Sequence, residues 1–405
     1  MRKFATVLAT LLALSLACSN LQGIPTTVPT VPLNKTPLPG LTLTPATAPA
    51  STPTSGLPAT LDASPTPEPY PSEGYGPAVF PDDVNPLTGL KVSDPALLAR
   101  RPVLIKVTNL PRNNRPQWGL TRADVVYEYY TEEGSTRFAA IFLGNDAEQV
   151  GPIRSARLFD VHLIRMYKAN FAFGSADKRV LDKLFNSEFE PRLIFEWTGK
   201  CPAMCRFEPN GANYLVGNTK ELTSHINSKA LKDGNGRQNL DGTVFKEQVP
   251  EGGMPTSQIY VRYSGAIYNR WDYDAASGKY LRYSDTDNAM DIASEKYAQL
   301  TDRLTNQPIA VDNLVVLYVT HAYYSVRPEI IDIVLSGPGK AYVFRNGQKF
   351  DLQWTRNSLT SIPTLYYADG RPFPLSPGQT WYEILGSTST LVQAGDAWRF
   401  QFSIP

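Results

Sequence analysis

Histidine and cysteine are scarce in this 405-residue chain, at three residues each. With so few soft ligands there is little from which to build a dedicated metal centre. No Gly-x-Ser-x-Gly elbow is present, so the commonest nucleophile signature is missing. His162 falls near an apolar stripe, His225 on a surface-type helix and His321 at a strand end beside Tyr323 and Tyr324. Packing or stacking explains each without chemistry. Charge excess is missing as well: 39 Lys and Arg stand against 38 Asp and Glu, a net +1. The chain as a whole is therefore no polyanion binder, and no nucleic-acid module is recognisable. Beyond the N-terminus no apolar run is long enough to span a bilayer. Neither a cofactor nor a metal is expected.

What is present starts at the N-terminus. Arg2 and Lys3 precede a nearly unbroken apolar run, Phe4 to Ala17, that ends at Cys18. The run is too short for a comfortable span and has the layout of a signal peptide over residues 1–18. Leu14-Ser15-Leu16-Ala17-Cys18 resembles the bacterial lipoprotein signal, with Ser15 where leucine is usual. That resemblance implies a lipid on Cys18, a membrane anchor and an extracytoplasmic location. The alternative is a plain secretory signal with an accidental cysteine. Residues 19–80 hold 14 of the 34 prolines and 11 threonines but only four charges, Lys35, Asp62, Glu68 and Glu73. Such a segment cannot bury enough apolar surface to offset its ordering entropy. It reads as a disordered tether, able to extend on the order of 150 Å at about 3.1 Å per residue.

The remaining residues are enough for two domains, with aromatics at 11%. From 81 to 250 strands mix with helices. Val103-Leu104-Ile105-Lys106-Val107 reads as a buried strand. Residues 124–130 and 136–143 form a hairpin about Glu132-Glu133-Gly134-Ser135. Helices are expected over 155–169, 178–185 and 222–231, the last opened by Asn218 and Glu221 as a capping box. From 256 to 405 the pattern is almost wholly β. Asn346-Gly347 and Asp369-Gly370 give the strongest hairpin signals there. The expected fold class is α+β: an N-terminal sheet-plus-helix domain, then a mainly antiparallel β domain. In an oxidising compartment Cys201 and Cys205, in Cys201-Pro202-Ala203-Met204-Cys205, most simply form a disulfide. Free thiols or a redox or metal role are the alternatives.

The densest polar constellation is Gly151-Pro152-Ile153-Arg154-Ser155-Ala156-Arg157. Ser155 reads as an N-cap, with Arg154 and Arg157 flanking the first turn of a helix. Cations there oppose the helix dipole at a few tenths of a kcal/mol each. The same geometry offers backbone N–H groups and two guanidinium groups to a phosphate or carboxylate. Arg137, Asp124 and the Glu128, Glu132 and Glu133 cluster lie nearby in sequence. They supply either a ligand site or internal partners for the arginines, as Asp160 also would.

Several ordered segments resemble one family. They include Asn85-Pro86-Leu87-Thr88-Gly89-Leu90, Arg115-Pro116-Gln117-Trp118-Gly119-Leu120, Ala123-Asp124-Val125-Val126-Tyr127-Glu128 and residues 151–157. In the second half they include Asn313-Leu314-Val315-Val316, Asn346-Gly347 and Pro377-Gly378-Gln379-Thr380-Trp381. Over residues 81–405 the chain resembles the YerB-like bacterial lipoproteins, the family of unknown function DUF3048. The resemblance implies a lipoprotein signal and brings no reaction. It also shows two departures. Relatives tend to carry His-Ala-Gly-Gly-Ser where this chain has Phe171-Ala172-Phe173-Gly174-Ser175. They tend to carry His-Asn-Leu-Tyr where it has Asn213-Tyr214-Leu215-Val216. Three functions compete: a tethered lipoprotein binding an anionic cell-wall polymer through Arg154 and Arg157, an envelope enzyme acting on a phosphorylated or polymeric wall substrate, or a purely structural module. Convergence of Asp124, Arg137, Arg154 and Arg157 in a pocket would favour the first two. Mutual ion pairs would favour the third.

Overall fold

The computed structural model describes residues 69–196, 201–206 and 214–404. The signal segment, Cys18, most of the tether and Asn213 lie outside the described residues. Residues 69–80, tether-like by composition, join the folded body. Tyr75 bridges to Phe245 and Phe80 is buried. Their aromatic rings supply the apolar surface that the rest of the proline-rich segment lacks.

The first half supplies β1 (Val103–Thr108), β2 (Val125–Tyr130), β3 (Thr136–Phe142), α1 (Asp160–Met166), β4 (Asn170–Phe173), α2 (Lys178–Phe185) and β5 (Leu193–Phe195). The short hairpin β6 (Met204–Arg206) and β7 (Leu215–Gly217) and helix α3 (Thr219–Asn227) follow. The helices begin where side chains satisfy their first N–H groups. Asp177 accepts from the Arg179 N–H at α2, and Asn218 accepts from the Glu221 N–H at α3.

The second half is β-rich. It contributes β8 (Gln258–Arg262), β9 (Tyr268–Asp274), β10 (Lys279–Asp285), β11 (Tyr297–Gln299), β12 (Asn313–Val326), β13 (Glu329–Val334), β14 (Gly337–Arg345), β15 (Gln348–Arg356) and β16 (Thr364–Tyr366). Strands β17 (Thr380–Gly386), β18 (Thr390–Ala394) and β19 (Ala397–Gln401) complete it. Asn346 and Gly347 both take positive φ, 52° and 71°, in the tight turn between β14 and β15. The α+β class holds, and among the described residues the α-helices lie in the first half. Around Asp369-Gly370 the return is shorter than a full hairpin. Tyr366 bridges Pro372, while residues 374–375 pair with 244–245 instead.

The two halves share one large sheet in the order β16-β15-β14-β12-β17-β2-β3-β1-β4-β5. β17 runs parallel to β12 on one side and to β2 on the other. A second sheet, β11-β10-β9-β8-β19-β18, comes wholly from the second half. Where the sheets meet, Arg282 of β10 is buried and donates to Glu128 of β2 at 2.7 Å and to Glu383 of β17 at 3.3 Å. Its guanidinium lies 4.7 Å from the Trp381 ring and 5.1 Å from the Trp271 ring. Two carboxylates on one buried cation, away from water, push the Glu383 carboxyl upward, through burial first and Glu128 second.

A cationic ledge beside a buried lysine

The segment 151–157 is extended, and its backbone groups are spent on neighbours. The Thr108 N–H donates to the Pro152 carbonyl and the Arg154 N–H to the Lys106 carbonyl. The Ile153 N–H donates to Leu215, the Ala156 N–H to Ser175, and the Gly174 N–H to the Arg154 carbonyl. The segment is thereby stitched to β1, to β7 and to the turn after β4. Close approach requires glycine at 151, where a Cβ would stand 2.8 Å from the Leu215 carbonyl oxygen.

This routing overturns the expected helix start. α1 begins at Asp160, not at 155, and its N-cap position is Phe159, without a side-chain cap. Ser155 is not a cap. Its hydroxyl instead lies 2.8 Å from that of Ser175. The donors of Arg154 and Ala156 go to a strand and a loop, so they are not free to line a helical anion nest.

Three of the expected residues nonetheless come together. Arg137, on β3, donates to the Ser155 carbonyl at 2.8 Å and to Glu132 at 3.2 Å. Arg157 grips the same Glu132 through Nε, at 2.5 Å, and through Nη2. Arg154 reaches back towards the Thr108 hydroxyl at 3.4 Å. Asp124 is not among them. It sits before the opposite end of β2 and accepts from Asn85 at 2.8 Å and from the Leu143 and Gly144 N–H groups. Burial pushes its carboxyl up to about 6. Its work is to hold the 85–90 turn against the 143–144 corner.

Beneath the ledge lies a cluster outside the expected set: Lys106, Tyr129 and Asp160. Lys106 and Asp160 have fully buried side chains with Nζ and Oδ1 3.3 Å apart. The Tyr129 hydroxyl donates to Asp160 at 2.5 Å and accepts from Lys106. The other Asp160 oxygen accepts from the Arg157 N–H at 2.7 Å, which ties the cluster to the ledge. Burial drives the Lys106 ammonium down to about 7; Asp160 opposes this, and Arg137 and Arg157 reinforce it. Burial also raises the Asp160 carboxyl. Arg137 is pushed down to about 9, by burial first and then by Arg157. A lysine at the centre of the otherwise apolar Val103–Val107 run was the one available sequence signal, because a buried charge requires a partner.

Cys201 and Cys205 form a disulfide, with Cα atoms 4.9 Å apart. Beside it Arg206 pairs with Glu196, and burial first, then Arg206, lowers Arg154. His162 and His321 take packing roles. His162 lies 3.0 Å from Arg356 and His321 lies 2.9 Å from the Val319 carbonyl; burial lowers each to about 4. Among the described residues no group of three His, Cys, Asp or Glu side chains is placed to hold a metal.

Residues 87–205 match the N-terminal domain of the protein family of unknown function DUF3048, and residues 259–382 match its C-terminal domain. The chain belongs to the DUF3048 family. Within it, the chain is 28% identical over 306 residues to YerB of Bacillus subtilis (strain 168), provisionally named a lipoprotein. That alignment covers 74% of this chain and 85% of YerB. The crystal structure of B. subtilis YerB superposes with a TM-score of 0.60 at 26% identity, over 75% of this chain and 96% of that one. The N-terminal match contains the whole ledge from Arg137 to Arg157 as well as Lys106, Tyr129 and Asp160.

Proposed function

We propose that this DUF3048 protein is an extracytoplasmic lipoprotein, held at the membrane through Cys18, that binds an anionic group of the cell envelope at the Arg137, Arg154, Ser155 and Arg157 ledge. The lipoprotein reading draws on the Cys18 signal and on the name given to YerB. The binding reading rests on charge. Lys106, Arg137 and Arg157 are three cations sharing two carboxylates, Glu132 and Asp160. Burial lowers both Lys106 and Arg137, and their mutual repulsion and that of Arg157 add to it. An incoming phosphate or carboxylate would relieve that repulsion, and the Ser155 and Ser175 hydroxyls at the rim add donors.

One observation favours a second reading. Glu132 already engages both Arg137 and Arg157, so much of their bonding capacity is spent within the fold. On that reading the ledge is a structural latch. The two readings part in a co-sedimentation test with wall fragments rich in acidic polymer. The binding reading expects wild type to pellet with the fragments, and the Arg154→Ala/Arg157→Ala variant to stay in solution while folded. Equal pelleting of both, or equal pelleting with fragments stripped of the acidic polymer, would leave the latch as the account.

A further inference from the structure

The second sheet ends on an open strand. β18 pairs antiparallel with β19 over five residues without a shift in register, and among the described residues its other edge pairs with no strand. Thr390, Val392, Gln393 and Ala394 are exposed, Val392 at 60%. Alternate N–H and C=O groups along that edge therefore face water. Open edges invite pairing with another chain, and folds normally blunt them. The other edges of the two sheets are blunted here. β5, β11 and β16 are three residues long. β13 carries Glu329 and Asp332, and the outer stretch of β12 beside it is broken by a register shift between Tyr323 and Ser325. β18 has none of these devices. From Ile384 to Gly395 the chain holds neither a charge nor a proline.

We propose that β18 is a self-association edge, to which a second copy of this chain adds its own β18 antiparallel. The occupant is a copy because the edge is its own complement. About a two-fold axis at Val392, Val392 meets Val392, Leu391 meets Gln393 and Thr390 meets Ala394. Facing β-branched side chains pair favourably, and no like charges are brought opposite one another. The first charge beyond the strand, Asp396, falls opposite the Thr388 hydroxyl. An isologous contact of this kind closes at two copies, so the sheet does not go on growing. A five-residue pairing lies at or below the low end of specific interfaces, about 1,200 Å². The dimer is therefore weak and concentration-dependent. This edge shares no residue with the ledge and stands whether or not the ledge binds anything.

The test is sedimentation velocity of the full chain over a concentration series, in a Cys18→Ser background that leaves no cysteine outside the Cys201–Cys205 disulfide. The weight-average sedimentation coefficient is expected to rise with concentration towards that of a dimer. Val392→Lys sets two ammonium groups face to face across the axis and is expected to weaken association about tenfold or more. A chain that stays monomeric throughout, or a Val392→Lys variant that dimerises as its parent does, overturns the proposal. A second pair of variants reads the register directly and does not depend on how the lysine is tolerated. Val392→Cys treated with a short bis-maleimide is expected to give a cross-linked dimer. Val326→Cys, at a site 68% exposed on β12, is expected to stay monomeric under the same treatment. No cross-linked dimer from Val392→Cys, or equal amounts from both variants, rejects the edge as the contact.

Discussion

Arg157 donates to both oxygens of Glu132, and Glu132 keeps Arg137 as a second cation. Removing Arg157 therefore strips one partner without stranding the carboxylate. Arg157→Ala is expected to destabilise by about 1–3 kcal/mol, the range for losing hydrogen bonds between charged groups in a half-buried site. Chemical denaturation would check this, and a loss below about 0.5 kcal/mol, typical of an exposed pair, would show the grip to be cosmetic. The buried Glu383 gives a pH signature. Its carboxyl is raised, so the native state holds a proton that the unfolded chain releases near about pH 4.3. Its contribution is full below that value and is lost as pH climbs through the raised native value. Glu383→Gln removes the dependence, so its Tm relative to wild type should be more favourable at pH 8.5 than at pH 5. A difference that is constant, or that changes the other way, contradicts the assignment. At this scale the sequence was partly legible. The arginines of 151–157 were visible because cations cluster there. Asp124 was misplaced because neighbours in sequence along a strand sit at its opposite ends. Tyr129 and Asp160 were invisible because a cluster joining β1, β2 and α1 has no local pattern.

Among the elements, those fixed by local chemistry were readable. α2, the β2–β3 hairpin and the Asn346-Gly347 turn follow from spacing, caps and positive φ. α1 was overextended because its apolar periodicity continues upstream, while the Arg154 and Ala156 N–H groups are claimed by Lys106 and Ser175. Tertiary bonding outbid a helical pattern there. The β6–β7 hairpin carries the disulfide next to Arg206 and the ledge. Closing so short a loop constrains the unfolded chain by about 2 kcal/mol on a chain-entropy account. The Cys201→Ser/Cys205→Ser variant should lose stability of that order, and wild type under reducing conditions should match it. Unchanged stability in both would mean that the β6–β7 pairing alone holds the hairpin.

At the scale of the molecule, β17 is what joins the halves. It arrives from residues 380–386 and inserts between β2 and β12, with Arg282, Glu128 and Glu383 sealed where the sheets meet. Parallel pairing across more than 250 residues leaves no trace in local sequence, so the mixed first half and the β-rich second half were legible and their common sheet was not. The anchor belongs to this scale too. A lipid probe fed to cells should label wild type and not Cys18→Ser; equal labelling would detach the protein from the lipoprotein account. The most direct test of the central claim is the affinity of the full chain for purified acidic wall polymer across a salt series, in wild type and Arg154→Gln with equal folding by circular dichroism. The account predicts binding in wild type that weakens steadily with salt, as charge-driven association does, and both a lower affinity and a shallower salt dependence in Arg154→Gln. Identical affinities and slopes, or wild-type binding indifferent to salt, would contradict it.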